Sequence, residues 1–93
     1  MKYLKSFNES NFLDTILNIV KVGDIVCRQG LQNDPIEFIV LTKKPTDDDH
    51  RYWGYPIASK HNGVFSYNKG REIDFTHFDI PSSTDLKMIN QRV

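Results

Sequence analysis

The chain has 93 residues, and its 12 basic side chains equal its 12 acidic ones, so the formal net charge is zero. This length fits one domain, residues 1–93, and the 39% of hydrophobic residues is enough for a small core. A neutral chain has no overall field that attracts nucleic acid or an anionic membrane, so such binding would need a local patch of charge. Composition therefore excludes a second domain and does not favour disorder.

Cys27 is the single cysteine, and it follows two apolar residues, Ile25 and Val26. It has no internal disulfide partner, so we expect a small, buried structural thiol in a reducing compartment. No stretch approaches the roughly eighteen apolar residues of a membrane span, and residues 1–9 lack the apolar segment of a secretory signal. The sequence therefore predicts a cytoplasmic protein with no membrane partner.

The N-terminal region has the pattern of an amphipathic helix. Ser6 and Glu9 have the spacing of a capping box, in which both side chains satisfy free backbone N–H groups at a helix start. Apolar residues then recur at steps of three and four: Phe12, Leu13, Ile16, Leu17 and Val20. This spacing predicts a helix over about residues 8–20, packed on the domain because so short a helix is marginal alone in water.

Five stretches have the composition of short strands: residues 24–29, 36–42, 51–59, 64–67 and 71–78. The second is apolar on both faces, with Phe38 opposite Ile39, so we expect it to be central in the sheet. Asn62-Gly63 accepts positive φ at both positions of a tight turn and predicts a hairpin between the third and fourth strands.

Serine and threonine residues after Pro81 offer N-caps for a short helical turn at about residues 83–90. The predicted order is a helix, a β region over about residues 22–80 and this final turn. We expect an α+β fold, in which the N-terminal helix packs on a small, strongly bent antiparallel sheet of five strands or on a closed barrel, because closure removes unpaired edges.

The aromatic stretch at residues 51–59 is the richest functional candidate. Alternation along a strand puts Trp53 and Tyr55 on one face and Tyr52 on the other. We favour Trp53 as core, which leaves Tyr52 and Arg51 to stack on a planar ligand such as a base and to meet its phosphate. The alternative is that Trp53 is itself the stacking platform.

Basic and aromatic residues around this strand make up the predicted ligand site. They are Lys43, Lys44, His50, Arg51, Tyr52, Trp53, Tyr55 and His61. The loops at residues 29–35, 43–51 and 60–63 would carry the recognition surface. Because three aspartates at residues 47–49 offset the cations, the surface suits a protein or a small charged ligand better than a long polyanion.

No cofactor, metal or catalytic residue is predicted. The acidic run 47–49 with His50 lacks the glycine and the distal glutamate of a calcium loop, so a solvated loop is favoured over an ion site. The three histidines are far apart in sequence, and one cysteine gives no zinc-ligand spacing. Cys27 with His61 or His77 is a conceivable catalytic pair, but a thiol in an apolar strand is usually inert. Expectation therefore favours a binding module over an enzyme.

Residues 22–26, Val-Gly-Asp-Ile-Val, are followed by a strand, a polar loop, an aromatic strand, a last strand and a helical turn. Over about residues 21–90 this order resembles the SH3-like small barrels, in which a Gly-Asp pair often opens the first strand. The resemblance implies a scaffold that binds peptides, nucleic acid or other ligands. The long leading helix departs from a minimal barrel.

The first ten residues, Met1 to Ser10, resemble the openings of small accessory proteins of tailed bacteriophages. That resemblance implies a viral protein in the host cytoplasm that binds a host protein or a nucleotide-like ligand, as an inhibitor or a sponge of host defence. The alternatives are a nucleic-acid-binding SH3-like domain and a small enzyme. A second copy of the chain is a further candidate partner.

Overall fold

The computed structural model describes residues 20–92, which form an antiparallel sheet and one short helix. The elements are β1 (Ile25–Arg28), β2 (Ile36–Lys43), β3 (Tyr52–His61), β4 (Val64–Ser66), β5 (Ile73–Phe75) and α1 (Ser83–Asn90). The predicted α+β class is wrong, because strands dominate the described chain and its one helix is short and C-terminal. The predicted helix over about residues 8–20 lies outside the described residues except for Val20.

The sheet is built on β2 and β3, the two longest strands. β1, β2, β3 and β4 are neighbours in that order, and β5 also pairs with β3. Phe38 is fully buried on one face of β2, and Ile39 and Leu41 are fully buried on the other. The prediction of a central second strand, apolar on both faces, is therefore confirmed.

The chain after β5 returns to the first strand and rolls the sheet nearly closed. Asp79 exchanges two backbone hydrogen bonds with Cys27 of β1, with N···O distances of 2.9 and 2.7 Å. The ring of strands encloses an inner core of Val20, Val26, Ile39, Leu41, Tyr52 and Phe75. Pairing at this second edge of β1 reduces the backbone left open to other chains.

Helix α1 covers part of the outer face of the sheet. Its Ile89 is 1% exposed and packs on Phe38 and Ala58. Ser82 caps the helix by accepting a hydrogen bond from the backbone N–H of Asp85 at 3.1 Å. The predicted C-terminal helical turn is confirmed, with the hydroxyl cap that the sequence indicated.

A tight turn and a register shift shape β3. Asn62 and Gly63 have φ values of 51° and 80°, so the predicted hairpin turn is confirmed. Between Phe38 and Ile39 the pairing with β3 shifts from Ala58 to Pro56. The extra residue, Ile57, is a bulge, which bends the strand and increases its twist.

Candidate functional site

The two faces of β3 point in the opposite directions to those predicted. Tyr52 is only 7% exposed and lies in the inner core, whereas Trp53 is half-buried on the outer face. The prediction that Trp53 is core and that Tyr52 meets a ligand is therefore wrong. The reason is long-range pairing, because β5 places Phe75 directly beside Tyr52.

Tyr52 is held by aromatic contacts inside the curved sheet. Its ring stacks on Phe75 with centroids 5.8 Å apart and meets the edge of Phe78 at 4.8 Å. Burial raises the pKa of its hydroxyl above the ordinary value. A residue in this position stabilises the fold and is closed to a ligand.

Trp53 lies beneath two cations on the outside of the sheet. The guanidinium carbon of Arg51 is 4.6 Å from the indole ring centre, and the ammonium of Lys43 is 5.7 Å from it. The indole N–H donates to Asp49 Oδ2 at 2.9 Å. These contacts fix the orientation of the indole and place positive charge on its π face.

The loop before β3 holds Arg51 in place through its acidic residues. Asp49 Oδ1 accepts from Arg51 Nε at 2.9 Å, and Asp74 of β5 accepts from Arg51 Nη1 at 3.1 Å. Hydrogen bonds from Arg51 and then from Trp53 lower the pKa of Asp49 far below its usual range. The same bond to Asp49 raises the pKa of Arg51. Asp49 is thus a fixed anion that orients the arginine and the indole.

Four aromatic residues form a strip on the outer face: Trp53, Tyr55, Phe65 and Tyr67. Trp53 and Tyr55 are two residues apart on β3, and Phe65 stacks on Tyr67 with centroids 5.9 Å apart. Each ring is half-buried. We call this set the aromatic strip.

Every ring of the aromatic strip has a cation above it. Lys69 is 4.6 Å from the centre of Tyr55, Arg92 is 4.6 Å from Tyr67, and Lys60 is 5.6 Å from Phe65. A pocket of about 280 Å³ lies at the Tyr67 end, between Lys69, Arg92 and Ile89 of α1. The strip therefore combines flat apolar surface with positive charge and a recess for a ring.

Charge along the aromatic strip is not balanced locally. Arg51 is paired with Asp49 and Asp74, and Lys60 is paired with Asp85 at 3.0 Å. Within residues 20–92, neither Lys43, Lys69 nor Arg92 has a carboxylate within salt-bridge distance. The chain has no net charge, but the aromatic strip is a local basic patch. A neutral chain needs such a patch to attract an anion.

Half of the predicted site residues meet on this strip, and the others do not. Lys43, Arg51, Trp53 and Tyr55 come together as described. The ammonium of Lys44 donates to the backbone carbonyl of Val20 at 2.9 Å, so it supports the start of the described chain. His61 Nε2 is 3.2 Å from the carbonyl of Asn33 at the far end of β3. His50 is exposed in the loop, and Tyr52 is buried.

Sequence analysis missed the residues after β4 that continue to pair with β3. Residues 68–70 lie between the predicted fourth and fifth strands, but Asn68 N–H donates to Ile57 O and Gly70 N–H to Pro56 O, at 3.1 and 2.8 Å. This pairing sets Lys69 beside Tyr55. The signal was the alternation of Phe65, Tyr67 and Lys69, which continues past the end of β4.

Cys27 is half-buried on β1, less buried than predicted, with Sγ 3.5 Å from the carbonyl oxygen of Asp79. Burial, followed by the charges of Asp79 and Asp85, raises the pKa of the thiol to about 11. A thiol with so high a pKa is a weak nucleophile at neutral pH. No group of three or more metal-ligating side chains occurs in the part of the chain that the structure describes.

Comparison with known proteins gives no match: neither a family model nor a curated protein nor a solved structure is significantly similar to the chain. The resemblances to SH3-like barrels and to phage accessory proteins stay predictions. Between residues 20 and 92, no helix is long and apolar enough to cross a membrane. The geometry of the aromatic strip is therefore the basis for a functional proposal.

Proposed function

We propose that the protein is a non-enzymatic binding module whose aromatic strip takes a planar, anionic ligand of the nucleotide class. The observation that carries the proposal is the row of four half-buried rings, each with a cation 4.6 to 5.7 Å from its centre. A base stacks on an exposed ring or on a guanidinium plane, and a lysine or arginine beside it neutralises the phosphate.

Trp53 is the first stacking position in this proposal. Asp49 and Arg51 already hold the indole in one orientation, so little side-chain entropy is lost when a ligand stacks. Lys43 and Lys69 then lie on the same outer face without a competing carboxylate among the described residues. They are the groups that would meet the phosphate.

A nucleic acid is the runner-up ligand. The two hypotheses differ in how the affinity depends on salt concentration and on the length of the ligand. A single strand that engages three cations should lose affinity with a slope of about −2 in a plot of log K against log salt. A mononucleotide that meets one phosphate contact should give a shallower slope. If the chain has the viral origin that residues 1–10 predict, the ligand, or a protein that carries it, would belong to the host cell.

The test detects binding through the fluorescence of Trp53, which is the single tryptophan of the chain. Mononucleotides and short single-stranded oligonucleotides are titrated at two salt concentrations while indole fluorescence is followed. We expect saturable quenching, because a stacked base quenches the indole. Lys69→Ala should weaken binding about fivefold to tenfold through the lost charge.

The matched control is Lys87→Ala, which removes an equal charge from an exposed position of α1 away from the strip. Affinity should be unchanged in that variant. Absence of quenching by all of these ligands, or equal weakening by Lys69→Ala and Lys87→Ala, would refute the proposal.

A further inference from the structure

A cavity larger than the pocket at Tyr67 is separate from the aromatic strip. It is a cleft of about 700 Å³ at one end of the rolled sheet. Its lining includes a row across three strands, where Arg28 of β1 pairs with Glu37 of β2 and Glu37 with Ser59 of β3. Pro35 and Phe75 also line it. The open end of a small barrel is a common place for a ligand site.

Arg28 presents unused donors to this cleft. Its Nε donates to Glu37 Oε1 at 2.9 Å, and its guanidinium carbon is 5.9 Å from the centre of the Phe75 ring. Within residues 20–92, its two terminal nitrogens have no hydrogen-bond acceptor. A guanidinium held in this way offers a fork of two donors that matches a carboxylate.

The cleft also carries acceptors, and they exclude a plain anion. Glu37 uses one carboxylate oxygen for Arg28 and keeps the other, and Asp34 adds a second carboxylate to the lining. A ligand with only negative charge would be repelled by both. A ligand with only positive charge would leave the free donors of Arg28 without an acceptor. The charges of the cleft therefore match a molecule that carries both signs.

We infer that the cleft binds a small zwitterion of the α-amino acid type. The free nitrogens of Arg28 and the free oxygen of Glu37 flank one ion pair, so the two ligand groups must be close together. An α-carboxylate and an α-ammonium satisfy that condition, because they are attached to the same carbon. Phe75 and Pro35 are apolar residues of the same lining, so the ligand we expect has an apolar side chain.

His77 and Ser59 are further polar groups of the same cleft. His77 Nδ1 is 2.9 Å from the hydroxyl of Thr76, which leaves Nε2 without a partner in the described chain. With the hydroxyl of Ser59, it offers a hydrogen bond to a ligand seated over Arg28. Neither residue belongs to the aromatic strip, so this site does not depend on the proposed function.

The test measures binding of L-phenylalanine and its two single-charge analogues by NMR titration of the intact chain. The analogues are phenethylamine, which lacks the carboxylate, and 3-phenylpropionate, which lacks the ammonium. We expect saturable binding of the amino acid in the millimolar range, and binding of each analogue weakened about ten- to a hundredfold. Chemical-shift changes should centre on β1 and the residues after β5.

Two variants test whether Arg28 and Glu37 are the charged residues that bind the amino acid. Arg28→Gln and Glu37→Gln should each weaken the amino acid about ten- to a hundredfold, because each removes one charged partner. Both side chains are more than a third exposed, so we expect the variants to fold. If Arg28→Gln does not fold, Arg28→Lys replaces it, since lysine keeps the charge and loses the fork.

The controls are Arg71→Gln and Lys87→Ala, each of which removes an exposed charge outside the cleft. Both should leave the affinity for L-phenylalanine unchanged. The inference is overturned if no saturable binding occurs up to about 10 mM. It is equally overturned if either analogue binds as well as the amino acid, or if neither cleft variant changes the affinity.

Discussion

The two faces of β3 have opposite surroundings, although the residues on them are neighbours in sequence. The inner face presents Tyr52 to Phe75 and Phe78, and Tyr52 is only 7% exposed. The outer face presents Trp53 and Tyr55 to cations and leaves part of each residue exposed. Aromatic content alone therefore does not separate core residues from surface residues. What surrounds each ring separates them.

The sharpest way to break this comparison is to truncate the inner ring. Tyr52→Ala should destabilise the protein by about 3–5 kcal/mol, because it removes a buried aromatic side chain and leaves a cavity. The measurement is chemical denaturation followed by circular dichroism. In so small a domain the variant should be largely unfolded at physiological temperature.

Tyr52→Phe is the matched control, since it keeps the ring and removes only the hydroxyl. We expect a change of less than about 1 kcal/mol. If Tyr52→Ala kept the stability of the parent protein, the inner face would not be the core.

A second substitution, Gly54→Ala, adds a methyl group where the inner face of β3 packs closely against β2. A Cβ atom at Gly54 would lie 2.5 Å from the carbonyl oxygen of Val40 and 2.6 Å from Ile39 Cγ2. Gly54→Ala should therefore cost about 1–3 kcal/mol, because backbone of the central strand must move. The same denaturation experiment measures the cost.

Gly70→Ala supplies the comparison for that prediction. Its Cβ would meet only the ring of Pro56 at 3.3 Å, at the exposed edge of the sheet. A smaller loss of stability is expected there. Equal losses at the two glycines would show that β2 and β3 are not packed as tightly as the structure has them.

The outer ring should matter less for stability. Trp53→Ala removes a half-buried indole and its cation contacts, at a cost of about 1–2 kcal/mol, well below the cost at Tyr52. Under the proposed function it should also weaken a planar ligand about tenfold to a hundredfold. Stability is measured by circular dichroism, and affinity by calorimetry, because the fluorescent probe is lost. An unfolded Trp53→Ala variant beside a folded Tyr52→Ala variant would reverse the assignment of the faces.

The smallest change concerns the anion beside the indole. Asp49→Asn keeps the size of the side chain and removes the negative charge nearest to Arg51. An anionic ligand on the aromatic strip should then bind about twofold to fivefold more tightly, since a repulsive charge is lost. Fluorescence titration at low salt measures the change, which should shrink as salt is added. Weaker binding would mean that orienting Arg51 outweighs the repulsion.

The sequence determined the local elements of this protein. Alternation and turn residues located β2 and β3, the Asn62-Gly63 hairpin and the helix capped by Ser82, because each of these depends on residues close together in the chain. Alternation also fixed that Trp53 and Tyr55 share one face. Two of the eight predicted ligand residues, Trp53 and Tyr55, were grouped by that pattern.

Only the tertiary structure decided which face of β3 points inward. A period of two assigns residues to two faces but does not say which face is buried, and the outcome rests on pairings between distant segments. Two such pairings decide which face of β3 is buried. β5 sets Phe75 beside Tyr52, and Asp79 returns to Cys27 of β1. The same distant pairings brought Lys69 over Tyr55 and shaped the cleft at Arg28. Sequence spacing carries no record of such contacts, because they join residues that the chain brings together only when it folds.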